Sequence, residues 1–286
     1  MKASPGLRGD FLFLGLGAMG GALVRGLVSC GALPPDRVWG FDVADEKMQA
    51  LKAELGIQTP SSPLDGVERC AVVVLAVKPD VVPSVLKELR PRLDKSKQVI
   101  SIAAGLKLAQ IEQWAGDGVP VVRAMPNILV TFRKSSCALV GGRWAEESHL
   151  SVATSLFEPL GLVVQAQEKD MDAITALSGS GPAFVFMFLE ALSDAGVRCG
   201  LSRNLALKLA IQTVSGVAAA AAETGSHPAV LRDLVTSPGG TTIHGIEALE
   251  SGGFRASVMK ALVAATARAA ELSRSLAEAP TGHGKG

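Results

Sequence analysis

The stretch Gly15-Leu-Gly-Ala-Met-Gly20 constrains the fold more than any other. It is entered directly from the apolar run Phe11-Leu-Phe-Leu14. Met19, Ala22, Leu23 and Leu27 then recur at helical spacing until Gly31. Strand, G-x-G-x-x-G and helix in that order form a dinucleotide fingerprint in the context it needs. Gly15 permits the tight turn, Gly17 lets a pyrophosphate approach the backbone, and Gly20 allows the helix to pack close to the strand. The first part of the chain is therefore expected to be a nucleotide-binding α/β domain.

The following segments extend that pattern. A strand over 37–41 ends at Asp42, where an acidic side chain accepts from ribose hydroxyls and repels a 2′-phosphate, favouring NAD over NADP. A helix over 46–55 stops at Gly56. The apolar run 71–77 reads as a central parallel strand and ends at Lys78-Pro79, on the edge where open sheets bind ligands. A strand over 98–102 opens into Ala103-Ala-Gly105, residues small enough for a flat ring to lie against backbone. Strand 119–123 leads into Met125-Pro-Asn127, and strand 137–140, helix 145–160 and strand 162–164 complete the sheet. This alternation predicts an N-terminal Rossmann-like doubly wound sheet over 1–168.

Beyond it only helical periodicity remains, over 183–195, 203–222, 227–235, the segment after Gly240, and 254–276. The five small residues 218–222 suit close helix packing but bury little by themselves. The part 169–286 is therefore expected to be an all-α dimerisation domain that completes its core against a second copy. Its tail, 279–286, has no apolar period and is expected to be disordered. Within it, Ser237-Pro-Gly-Gly-Thr-Thr-Ile243 sets uncovered backbone N–H groups at the start of a helical pattern. A carboxylate fits such a helix terminus.

Composition narrows the function classes. A net charge of +1 with interspersed signs gives no basic stripe, so no nucleic-acid partner is expected. The residues are 48% hydrophobic, but no apolar run approaches the roughly 18 residues of a membrane span, so the excess belongs in a core or a subunit interface. The N-terminal residues carry no signal-peptide pattern. Cys30, Cys70, Cys137 and Cys199 lie far apart with no metal-ligand spacing, which predicts reduced thiols, a cytoplasmic chain and no metal site. The chain has no tyrosine, which excludes dehydrogenase chemistry based on a Tyr–Lys acid/base pair.

Six segments in order resemble the motifs of the pyrroline-5-carboxylate reductase family. They are Gly15–Gly20, Ala76-Val-Lys-Pro79, Ser101-Ile-Ala-Ala-Gly105, Arg123-Ala-Met-Pro-Asn127, Leu177-Ser-Gly-Ser-Gly-Pro-Ala183 and Ser237-Pro-Gly-Gly-Thr-Thr-Ile243. The resemblance implies reduction of the cyclic imine L-1-pyrroline-5-carboxylate to L-proline by NADH or NADPH, the last step of proline synthesis. It also implies a homodimer interlocked through the helical domain, with dimers further assembled into rings. Dinucleotide contacts then fall to Gly15, Leu16, Gly17, Ala18, Met19, Gly20, Asp42, Ala76, Val77, Lys78, Pro79, Ala103, Ala104, Gly105 and Asn127. The substrate carboxylate meets Ser237, Gly239, Gly240, Thr241 and Thr242, supplied by the partner subunit, and Glu168 lies near the substrate ring. Thr242 is the candidate hydrogen-bond partner of the imine nitrogen, and Thr175 is a supporting hydroxyl.

The chain departs from the family pattern at three places. Ile128-Leu129 stands where Thr-Pro usually follows Met-Pro-Asn, Thr131-Phe-Arg-Lys134 replaces a turn containing glycine, and Ser61-Ser-Pro63 lacks an Asn usual near the adenosine ribose. The first leaves room for a second reading, a dinucleotide-binding regulatory protein without turnover. A β-hydroxyacid dehydrogenase is disfavoured, because Val185 stands where that family places its lysine base after Gly179-Ser-Gly181.

Overall fold

The computed structural model describes Leu7 and residues 9–278; the tail expected to be disordered, 279–286, lies outside the described residues. Among the described residues seven strands form one sheet: β1 (Phe11–Leu14), β2 (Val38–Phe41), β3 (Val72–Leu75), β4 (Gln98–Ser101), β5 (Val121–Met125), β6 (Ser135–Gly141) and β7 (Gly161–Gln165). Their order is β2-β1-β3-β4-β5-β6-β7. The helices around them are α1 (Ala18–Ser29), α2 (Asp45–Leu55), α3 (Pro63–Arg69), α4 (Val82–Leu89), α5 (Leu108–Ala115), α6 (Glu147–Phe157) and α7 (Met171–Ile174).

Strands β1 to β5 pair in parallel, and the continuous apolar runs of the sequence follow from burial on both faces. Phe11, Phe13, Val72, Val74, Ile100 and Val122 point into one core with Leu23 and Leu27 of α1 and Leu156 and Phe157 of α6. Leu12, Leu14, Val73, Leu75, Val99 and Val121 point into the other, with Leu86 and Leu89 of α4 and Ile111 of α5.

Two features differ from the sequence expectation. Strand β6 runs antiparallel to β5, with Ala124 opposite Leu139, and β7 then runs parallel to β6. The connection 126–134 is too short for a parallel crossover, which needs a dozen or more residues, so the chain can only turn back. The two short helices α3 and α5 were also not part of the sequence reading. Pro63 and the Ser62 side chain, which accepts from the Asp65 N–H, start α3.

The β5–β6 connection carries the only non-glycine residue with positive φ among those described, Arg133 (φ 55°). The sequence departure at 131–134 thus places an arginine in the left-handed conformation that a glycine adopts without strain. Arg133→Gly is expected to raise the thermal midpoint by about 2 °C, corresponding to roughly 0.5–1 kcal/mol. A melt with an unchanged or lowered midpoint contradicts this reading.

Five helices follow: α8 (Gly181–Arg198), α9 (Arg203–Thr224), α10 (Pro228–Leu234), α11 (Thr241–Ser251) and α12 (Phe254–Glu278). The chain divides into two compact units, Met1–Gly179 together with Ala265–Gly286, and Ser180–Ala264. The division lies later than residue 168 because the segment after β7 still packs on the sheet. Met171 and Ala176 are fully buried, and Met171 joins the second core. The last turns of α12 also belong with the sheet.

In the helical unit α8 lies so close to α9 that a Cβ on Gly196 would stand 2.9 Å from the Ala206 Cβ. Much of the apolar surface here is open: Phe186, Met187, Leu209, Ile211, Val217, Leu234, Val258 and Val263 are all exposed. Two helical segments, Glu168–Arg198 and Arg203–Thr224, are long and apolar enough to cross a membrane by length and composition, although no single unbroken apolar run in the sequence is. Exposed apolar area of this extent marks an interaction surface.

Candidate active site

The glycine turn after β1 has the geometry of a phosphate cradle. Gly15 (φ 94°) donates its N–H to the Phe41 carbonyl at 2.8 Å, and a Cβ on it would stand 2.6 Å from the Ala76 carbonyl oxygen. A Cβ on Gly20 would enter the carbonyl oxygen of Gly15. Gly17 has nothing within 4 Å of a Cβ position; it is exposed, as is Ala18, and no side chain caps α1. Free first-turn N–H groups, open space and the positive helix end fit a pyrophosphate. Leu16 is buried beneath the turn and Met19 half-buried beside it.

Asp42, at the end of β2, faces inward. Its carboxylate is 8% exposed and accepts from the Leu16 N–H at 2.7 Å, the Ala44 N–H at 3.0 Å and Lys47 Nζ at 3.1 and 3.3 Å. The expected bond to ribose hydroxyls would have to displace these partners, because the side chain ties the glycine turn to the start of α2. Burial alone would push this carboxyl up, but the Ala44 and Leu16 amides and Lys47 outweigh it and hold the pKa below the usual value. The folded pKa is thus depressed. The contribution to stability is present above the unfolded value near pH 4 and is lost as pH falls through the folded pKa. The midpoint difference between wild type and Asp42→Asn is therefore expected to close as pH drops below about 4. A difference constant from pH 7 to pH 2.5 would rule out this role.

Further ligand-facing positions gather at the carboxyl ends of the parallel strands. After β3, Ala76 and Val77 are half-buried, and Lys78 is exposed; its carbonyl accepts from the Val81 N–H at 3.0 Å, while its side chain has no hydrogen-bond or ion-pair partner among the described residues. Pro79 follows, half-buried, before α4. After β4, Ala103 is buried, Ala104 exposed, and Gly105 (φ 79°) turns the chain toward α5.

Asn127, beyond β5, is 4% exposed, and its side chain serves the protein rather than open space. Its Nδ2 donates to the Ser178 carbonyl at 2.8 Å, and its Oδ1 accepts from the Leu129 N–H at 3.0 Å. It thereby anchors a π-helical turn, Thr175–Ser180, a departure from regular helix that occurs often at functional sites. The Thr175 hydroxyl, at the start of that turn, donates to the Met171 carbonyl at 2.7 Å.

One pair was missed by sequence reasoning. Arg123, 3% exposed within β5, donates from Nη1 to Glu168 Oε1 at 2.8 Å, and the same oxygen accepts from the Leu108 N–H at 3.1 Å. Glu168 so fastens the start of α5 to the sheet, while Arg123 Nη2 and Glu168 Oε2 have no partner among the described residues. The signal was a lone charge inside the apolar run Val121-Val-Arg-Ala-Met125, since a buried guanidinium requires a carboxylate.

The helical unit carries the second element. Gly239 (φ 65°) makes the turn and Gly240 is the N-cap of α11, its N–H donating to the Ser237 carbonyl at 3.1 Å. No side chain caps this helix, and the Thr241 and Thr242 hydroxyls have no partner among the described residues. Ser237, Gly239 and Thr241 are exposed, and Gly240 and Thr242 half-buried. The arrangement offers backbone N–H groups, two hydroxyls and a positive helix end to one anion.

Among the described residues no group of three or more His, Cys, Asp or Glu side chains could hold a metal ion. Burial pushes the Cys70 thiol up to about 12 and raises that of Cys137, so neither is a nucleophile.

Known proteins match the chain over the regions that carry both elements. Residues 10–105 match the family described as NADP oxidoreductase coenzyme F420-dependent, and residues 168–272 match pyrroline-5-carboxylate reductase dimerisation. The chain is 42% identical over 263 residues to the pyrroline-5-carboxylate reductase of Arabidopsis thaliana, covering 92% of this chain and 95% of that protein. It is 43% identical over 262 residues to that of Methanosarcina acetivorans, covering 92% and 97%. The solved pyrroline-5-carboxylate reductase of Coxiella burnetii superposes with a TM-score of 0.87 at 38% identity over 92% of this chain and 98% of that one. A Plasmodium falciparum pyrroline carboxylate reductase with NADP bound gives 0.83 at 32% identity over 93% and 98%. The chain belongs to the pyrroline-5-carboxylate reductase family.

Proposed function

We propose that the chain reduces L-1-pyrroline-5-carboxylate to L-proline, and the observation that carries this beyond family membership is the uncapped α11 terminus with its two unpartnered threonine hydroxyls. That terminus takes the substrate carboxylate through the backbone N–H groups after Gly240 and the hydroxyls of Ser237 and Thr241. Thr242 then reaches the imine nitrogen. The cradle at Gly15–Gly20 and the strand-end turns at 76–79 and 103–105 hold the dinucleotide. When bound, the reduced dinucleotide supplies the hydride to the imine carbon. The C=N electron pair moves to nitrogen, which carries the proton in the iminium form or gains it from solvent, so no strongly perturbed base is required. Orientation supplies most of the acceleration.

Asp42 and Asn127 act in this reading by fixing the turns that meet the dinucleotide. NADH is preferred over NADPH on electrostatic grounds that do not depend on which way Asp42 points. The end of β2 and first turn of α2 carry Asp42, Asp45 and Glu46 against Lys47, a local balance of −2 that disfavours a further negative group such as a 2′-phosphate beyond β2. Glu168 acts from behind the site, holding α5 for the substrate ring, and Thr175 supports the ring from the π-helical turn.

The exposed faces of α8 and α9 are covered by a second copy rather than lipid, since the dimerisation match spans both helices. Assembly of dimers into a ring, a cytoplasmic setting and the lack of a nucleic-acid partner belong to the same reading. Four unpaired cysteines, three of them buried, support a reducing compartment. The test is oxidation of NADH and NADPH in parallel by purified protein with racemic pyrroline-5-carboxylate. Proline formation with NADH favoured is expected. NADPH favoured would overturn the charge argument alone. Binding of both without turnover would favour the regulatory reading.

A further inference from the structure

The turn 103–105 has no side chain long enough to hold itself in place. Ala103, Ala104 and Gly105 offer two methyl groups, and Gly105 sits at φ 79°. Its position must be set by what packs behind it. On one side Glu168 grips the Leu108 N–H and Arg123. On the other is the end of α12, which leaves the helical unit and belongs with the sheet from Ala265 onward. A Cβ on Gly105 would stand 3.0 Å from Leu276 Cδ1 and 3.9 Å from the backbone of Leu272 and Ser273, so the helix passes directly against the turn. Gln110 Nε2 reaches the Leu276 carbonyl at 3.5 Å, and Leu276 packs on the second core of the sheet. The rotation of α12 is fixed by Ser273, 2% exposed, whose hydroxyl donates to Asp172 Oδ1 of α7 at 3.2 Å.

We infer that Ser273, locked by Asp172, is a positioning residue for hydride transfer. Through Leu272 and Leu276 it seats α12 against the Gly105 turn and so sets where the nicotinamide lies. This rests on the reading above that the turn faces the nicotinamide. A misplacement of about 1 Å at a reacting centre costs up to about 100-fold in rate, whereas a small shift behind the ring leaves pyrophosphate contacts intact. The inference also gives a helix that begins in the dimerisation unit a direct part in the geometry of the cofactor site.

The test is the single-turnover rate constant for loss of reduced-nicotinamide absorbance at saturating imine, which does not depend on how much of the protein is folded. Ser273→Ala and Asp172→Ala are each expected to lower it about tenfold, and the double variant no further than either single one, because both break one bond. Asp172→Asn keeps an acceptor oxygen and is expected to stay within about twofold of wild type, with dinucleotide dissociation constants changed less than about twofold throughout. Rate constants equal to wild type, with only the amplitude reduced, would overturn the inference, as would losses that multiply in the double variant. If Ser273→Ala does not fold, Leu276→Ala replaces it with the same expectation. Fluorescence of enzyme-bound NADH provides a readout without the imine, and is expected to change in Ser273→Ala and not in Asp172→Asn. A wild type that binds NADH but leaves the imine unreduced would sink the proposed reaction, and the fluorescence comparison would still decide on Ser273.

Discussion

Gly20→Ala is expected to weaken dinucleotide binding at least about 100-fold. The added Cβ would enter the carbonyl oxygen of Gly15 and press on the Ala76 Cβ at 3.0 Å, and both neighbours belong to the cradle itself. Neither is the far end of a flexible side chain, so relief requires α1 to move away from β1 and β3. Overpacking of this kind costs about 1–3 kcal/mol in stability. The effect on binding is larger, because the moving part is the helix end that meets the pyrophosphate, and affinity for NADH and NADPH should fall at least about 100-fold. Gly17→Ala is the control: its Cβ meets nothing, so the fold should be unaffected and only the approach of phosphate hindered. Isothermal titration with both dinucleotides checks the pair. Wild-type affinity in Gly20→Ala would show that the cradle is not where the dinucleotide sits.

Thr242→Ala should lower kcat/KM for the imine about 100-fold, within the range for loss of one positioned hydrogen-bonding group at a reacting atom. The hydroxyl has no partner among the described residues and does not cap α11, so its removal should leave thermal stability within about 0.5 kcal/mol and dinucleotide affinity unchanged. A loss confined to KM would assign Thr242 to uniform substrate binding. Unchanged kcat and KM would remove it from the site.

The two variants fall in parts of the chain that were unequally legible. The cradle could be read from sequence because each of its glycines answers a local demand: a turn at Gly15, open space at Gly17, close packing at Gly20. The anion turn could be read for the same reason, since Gly239, Gly240 and the threonines are neighbours in sequence. Strand polarity could not. The length of the connection before Ser135–Gly141 decides that it runs against β5, and that length depends on the strand bounds: strands ending at 123 and starting at 137 leave room for a crossover, whereas the connection over 126–134 does not.

Side-chain direction was the other limit. Sequence places an acid at the end of β2, but whether Asp42 faces a ribose or the Leu16 amide depends on Lys47 five residues later and on how α1 packs. Asn127 is similar, since its anchor on the Ser178 carbonyl joins segments fifty-one residues apart. The end of α12 was hidden in the same way, because helical periodicity over 254–276 carries no mark of the point at which the helix changes from one unit to the other.

In the proposed reading the site takes its dinucleotide cradle from one subunit and its α11 turn from the partner, as the family resemblance implies. This arrangement is tested most directly by purifying heterodimers of Gly20→Ala and Thr242→Ala chains carrying different tags. Each homodimer lacks one half of every site. The heterodimer holds one site in which the intact cradle of the Thr242→Ala chain meets the intact turn of the Gly20→Ala chain. Recovery of about half the wild-type rate per dimer is expected, since one of two sites is whole. A heterodimer as inactive as its parents would contradict the account.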